Sequence, residues 1–70
     1  MNGNISAEDA LNIAEMAGGE ESRRKLSNNG CKMAVEYYAD EYWRVSYRWI
    51  NYQLEFKINA YDGSYEWTRR

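Results

Sequence analysis

Seventy residues carrying nine basic and eleven acidic side chains, for a net charge of -2, make one small domain. A chain of this length buries only about 60% of the surface its unfolded form exposes, and its balanced charge argues against nucleic-acid binding driven by a basic surface. One cysteine, Cys31, excludes an internal disulfide; with no histidine either, neither a metal site nor a cofactor is expected. Seven Tyr, three Trp and one Phe are left to build the core, each able to bury about 150–250 Å².

Residues 1–4 read as a loose lead-in. A helix is predicted over residues 6–17: Ser6 caps it, Asp9 stands at the reciprocal position, and Ala7, Ala10, Leu11, Ala14 and Ala17 recur at helical spacing beside Ile13. Gly18-Gly19 is expected to stop it. Its apolar face is thin and Ala-rich, so it can lie close against a sheet. Residues 20–30, "EESRRKLSNNG", read as a charged loop or a short helix through Glu20–Leu26, with Arg23-Arg24-Lys25 as a solvated face and turn residues at its end.

From Cys31 the period changes to two, and residues 31–68 are predicted to form an antiparallel sheet. Met33, Val35 and Tyr37 alternate with charged or small residues; Trp43, Val45, Tyr47 and Trp49 do the same, as do Tyr52, Leu54, Phe56, Ile58 and Ala60. A three-residue loop at 39–41 pairs Tyr37 with Trp43. An Ile50-Asn51 turn pairs Trp49 with Tyr52. A two-residue Asp62-Gly63 turn pairs Ala60 with Tyr65 and Ile58 with Trp67. The fold class is therefore α+β: one N-terminal helix packed on the aromatic face of a four-stranded antiparallel meander. Tyr65 and Trp67 should then face inward, at the margin of the core.

The order of these motifs resembles a PepSY domain from Ile5 to about Trp67. The helix opens with Ile5, Ser6, Glu8, Ala10, Ile13 and Ala14; a Trp43-Arg44-Val45 strand follows; Asn59-Ala60-Tyr61-Asp62-Gly63-Ser64 forms the closing hairpin. Asn59 and Asp62 stand where that family usually has Asp and Thr. The resemblance implies a non-catalytic module of bacterial envelope and secreted proteins, one that restrains a peptidase or binds an envelope partner. It implies no catalytic residue.

The residues themselves agree in lacking a catalytic set. Cys31 has no histidine to make it a thiolate, and the pairs Glu20-Glu21 and Asp40-Glu41 fall in predicted loops. Gly18-Gly19 ends a helix, whereas a phosphate cradle precedes one. A protein partner is expected instead, and no nucleic acid, because the sheet parity puts the aromatics on the helix side and mixes Arg44, Arg48 and Lys57 with Glu36 and Glu55 on the other. No apolar run approaches the roughly 20 residues of a membrane span, so no membrane insertion is expected.

Four strands make a face roughly 15–20 Å wide, against about 10 Å for one helix. Some aromatics should border solvent, and Trp and Tyr dominate interface hot spots. The partner-binding candidates are Trp43, Trp49, Tyr52, Tyr65 and Trp67. The function expected is a PepSY-like interaction or inhibitory module, extracellular or in the cell envelope if the chain belongs to a secreted protein. The alternative is a free-standing cytoplasmic inhibitor of phage or mobile-element type, such as an anti-CRISPR protein; a more distant one is a small-molecule binder using the helix–sheet gap. Of the two free sheet edges, Lys32–Tyr38 is the longer, the place where a second copy would add to form a homodimer.

Overall fold

A computed structural model describes residues 4–26 and 30–70; residues 1–3 of the predicted 1–4 lead-in and residues 27–29 of the segment 20–30 lie outside them. The helix starts as its capping residues dictate. Ser6 Oγ accepts the Asp9 N–H at 3.1 Å, and Asp9 Oδ2 accepts the Ser6 N–H at 3.3 Å. Helix α1 then spans Ala7–Ala14.

The helix stops at Gly18-Gly19 as predicted: Gly18 leaves helical geometry there, and the segment Glu15–Gly19 forms a kink. The predicted short helix, α2, Glu20–Leu26, starts directly beyond it. Gly18 takes φ +145, open to glycine alone at little cost. Gly19 lacks a Cβ where one would stand 2.3 Å from the Tyr47 hydroxyl. That close approach lets Tyr47 pass beneath the helix and donate to Glu15 Oε2 at 2.8 Å. Arg23, read from sequence as part of a solvated face, instead closes an ion pair on the same Glu15. Lys25 does lie on the exposed side, 3.0 Å from Glu21 one helical turn back.

Strands β1 (Lys32–Tyr38), β2 (Tyr42–Trp49), β3 (Tyr52–Asn59) and β4 (Tyr65–Arg69) form one open antiparallel sheet in that order. The αββββ layout of an α+β domain is thus present. The first two registers follow the predicted parity: Tyr37 lies opposite Trp43, Val35 opposite Val45, Trp49 opposite Tyr52 and Tyr47 opposite Leu54.

The third register differs. Ile58 faces Tyr65 and Phe56 faces Trp67, a slip of two residues from the predicted pairing. The two-residue turn gives way to a four-residue loop, 60–63, closed by Asn59 N–H donating to the Ser64 carbonyl at 2.8 Å. Three hydrogen bonds from outside the hairpin hold Ala60 in that loop. Its N–H donates to the Glu41 carbonyl, and its own carbonyl accepts the N–H groups of Asn4 and Ile5. Inside the loop Asn59 Oδ1 accepts from the Tyr61 and Asp62 N–H groups, and Asp62 Oδ1 accepts from Ser64. A slip of two preserves which face each side chain takes, so the alternation survives the error.

The core lies between α1 and the first three strands. Ala10 and Ala14 are fully buried against Val45, Tyr47, Leu54, Phe56 and Ile58, with Leu11, Ile13 and Ala17 packed around them. Small residues at the contact let the helix lie close against the sheet. Burial, and then the bond to Glu15, push the Tyr47 hydroxyl far above the ordinary phenol range. A folded-state pKa raised in this way gives stability that is complete below the unfolded phenol value near 10 and is lost as pH rises past it. Tyr47→Phe should cost about 1–2 kcal/mol at neutral pH. It should also make denaturant midpoints fall less steeply above about pH 10 than in the wild type; an unchanged alkaline slope would exclude this role.

The β1–β2 loop carries a strain that can be relieved. Ala39 and Asp40 both have positive φ, 55 and 53, in the turn closed by Glu41 N–H to the Tyr38 carbonyl. Two positive-φ residues are what a primed hairpin turn requires, but alanine is disfavoured there. Ala39→Gly should raise stability by about 0.5–1 kcal/mol, read as a higher melting temperature.

Candidate functional site

The helix cover ends between β3 and β4. On the helix side of β3, Leu54, Phe56 and Ile58 are buried; on β4 all five residues are exposed. Tyr65 and Trp67 remain 48% and 52% exposed, where the sequence placed them inward at the core margin. They do face the helix side, but α1 sits over β1, β2 and β3, and α2 packs on the kink that follows α1, where Arg23 pairs with Glu15. Neither helix reaches them.

This uncovered strip has a defined floor and a charged end. The Tyr65 ring meets Phe56 edge-on, centroids 6.2 Å apart, and Trp67 stands opposite Phe56 in the ladder. Arg69, next on the same face, sets its guanidinium 5.8 Å from the Trp67 ring centre. The turn before β4 is fixed from below: a Cβ on Gly63 would lie 3.5 Å from Ile13 Cδ1 and 3.6 Å from Ile5 Cδ1. The aromatics are therefore presented on a strand whose base is packed against the helix start.

The five residues singled out by sequence do not form one patch. Trp43 is partly buried and committed to structure, its Nε1–H donating to the Ile5 carbonyl at 2.8 Å. Trp49 and Tyr52 pair across the β2–β3 turn with centroids 5.6 Å apart. They share a shallow apolar depression with Leu26, Gly30 and Ile50, and Ile50 is 95% exposed. Tyr65 and Trp67 make the β4 strip. By register, Arg69 stands opposite Leu54, two residues from Tyr52 on the same face, so the strip runs on toward the Trp49–Tyr52 corner, whereas Trp43 belongs to the fold.

The other face of the sheet holds two tyrosines that the parity argument passed over. Tyr38 and Tyr42 stack at 5.6 Å, each capped by the protein's own cation: Arg44 lies 4.5 Å from the Tyr38 ring and Lys57 4.6 Å from the Tyr42 ring. Arg44 is further tied to Glu36 at 3.0 Å, which holds the Glu36 carboxyl below its ordinary range. The even numbering of both tyrosines was the signal that could have placed them there. A concavity of about 350 Å³ on this face mixes Lys32, Arg48 and Arg70 with Glu36 and Glu55, so cations and anions interleave as the sequence suggested.

Cys31, the one thiol, is partly buried, and burial pushes its pKa up. That favours an inert thiol over a nucleophile. Among the described residues no group of three or more acidic or cysteine side chains is placed to hold a metal ion, and no helix is long and apolar enough to cross a membrane. No family model matches the chain, and no curated protein or solved structure matches it either.

Proposed function

We propose that this domain is a non-enzymatic protein–protein interaction module, PepSY-like in layout, that engages its partner through the exposed aromatic strip of β4 and thereby restrains it. One observation carries the reading: Tyr65 and Trp67 stay half exposed on a face where Leu54, Phe56 and Ile58 of the neighbouring strand are buried. Rigid, half-buried aromatics flanked by an arginine are the composition of interface hot spots, since they offer large contact area at little entropic cost. A peptidase or another envelope protein is the partner class that the family resemblance adds to this reading.

Affinity capture from the source cell, with tagged wild type compared against Tyr65→Thr/Trp67→Thr and against Ile50→Thr, tests the proposal. A protein retained by wild type and Ile50→Thr but lost with the β4 double variant is the expected result. Equal retention by all three would defeat it, because the exposed Ile50 is then no worse a control than the strip itself.

A further inference from the structure

The backbone of β4 carries information that its side chains do not. Arg70 exchanges both hydrogen bonds with Gln53, at 2.9 and 3.2 Å, and Ser64 accepts from Asn59. In an antiparallel ladder these bonded positions alternate, so the even-numbered residues bond to β3. The N–H and C=O groups of Tyr65, Trp67 and Arg69 therefore point outward, along the free edge of the sheet.

We infer that this edge pairs with β4 of a second copy, giving a two-fold dimer with one continuous eight-stranded sheet. Two copies joined edge to edge and antiparallel are related by an axis perpendicular to the sheet, which keeps equivalent faces on the same side. Residues opposite one another must then share a face, so the axis passes through a residue and only a few registers are open. Centred on Glu66, the register sets two like charges against each other. Centred on Trp67, it leaves Glu66 against Thr68 with no ion pair. Centred on Thr68, it places Glu66 against Arg70 of the second copy twice, on the open face. The same register sets Trp67 against Arg69 of the second copy twice, on the helix face, and Thr68 against itself; opposite charges, cation–π contacts and Thr–Thr pairs are each favourable across strands. The outward backbone groups of Trp67 and Arg69 then meet one another as bonded pairs.

The other edge fits less well. On β1 the acidic residue available for a cross-copy pair, Glu36, is already held by Arg44 and by the Tyr38 hydroxyl, and Val35 and Tyr37 are partly covered. In the β4 dimer both helices stand on one face, with the two aromatic strips adjoining between them. The pairing rests on the edge, on Glu66 with Arg70 and on Trp67 against Arg69, and its test reads self-association alone, without the partner of the proposed function.

Sedimentation or light scattering over a concentration series measures it directly, with far-UV circular dichroism confirming the fold of each variant. The wild type should approach twice the monomer mass. Glu66→Arg alone and Arg70→Glu alone should each weaken association about tenfold or more, and the double swap should restore it to within about threefold. In a Cys31→Ala background, Thr68→Cys should cross-link to its own copy on mild oxidation. The inference is overturned by a monomer that persists to about 1 mM, weaker than a standard interface would give. It is equally overturned by a double swap that fails to restore the dimer, by an uncross-linked Thr68→Cys dimer, or by dissociation on Lys32→Glu in place of the β4 changes.

Discussion

Gly19→Ala is expected to destabilise the domain by about 3 kcal/mol and to lower its melting temperature by about 12–20 °C. A methyl group there would stand 2.3 Å from the Tyr47 hydroxyl and 2.4 Å from the ring carbon bearing it. Neither side can give way freely. Tyr47 is fully buried on the central strand β2 and bonded to Glu15, and Gly19 sits in the kink between α1 and α2, which the Glu15–Arg23 pair spans. A domain of this size has only about 5 kcal/mol or a little more to lose, so the variant lies near the limit of folding at 37 °C. The cause is checked by a second background. If the methyl–tyrosine clash is responsible, Gly19→Ala should cost at least about 1 kcal/mol less in Tyr47→Leu than in the wild type. Strictly additive costs would instead assign the loss to the backbone of the turn.

The second large effect is on binding, and it should leave the fold intact. Trp67→Thr removes a ring that is half in water already and keeps a β-branched residue on the strand. Its cost in stability is expected to be about 1–2 kcal/mol. Phe56→Ala, one strand inward beneath the helix, should cost about 3–5 kcal/mol. The order of these two values separates a presented aromatic from a core one: similar losses would mean that Trp67 is held in the core after all. On the partner the order inverts. Truncating a central aromatic anchor costs about 2 kcal/mol or more, equivalent to roughly a thirtyfold weaker complex.

Much of this fold was legible in the sequence because side-chain parity is a discrete property. Val35, Val45 and Phe56 can share one face in only one way once the turn lengths at 39–41 and 50–51 are fixed, and both registers follow. The β3–β4 hairpin escaped because Asp62-Gly63 is a local signal overridden by distant ones. The amide and carbonyl of Ala60 are claimed by Glu41, Asn4 and Ile5, none of them near it in the sequence. Gly18-Gly19 was legible as a helix stop, but the second role of Gly19 was not: the close approach it admits depends on Tyr47, nearly thirty residues further on. The candidate site was half legible. That one helix cannot cover four strands follows from element widths alone; that the uncovered strand is β4 depends on α1 lying over β1, β2 and β3.

The claim that β4 presents its aromatics for recognition is tested most directly by the affinity of the captured partner for wild type and Trp67→Thr, measured by titration calorimetry on protein shown to be folded. The dissociation constant should rise about thirtyfold or more in the variant while its heat of unfolding stays close to that of the wild type. An unchanged dissociation constant for a folded Trp67→Thr would contradict it.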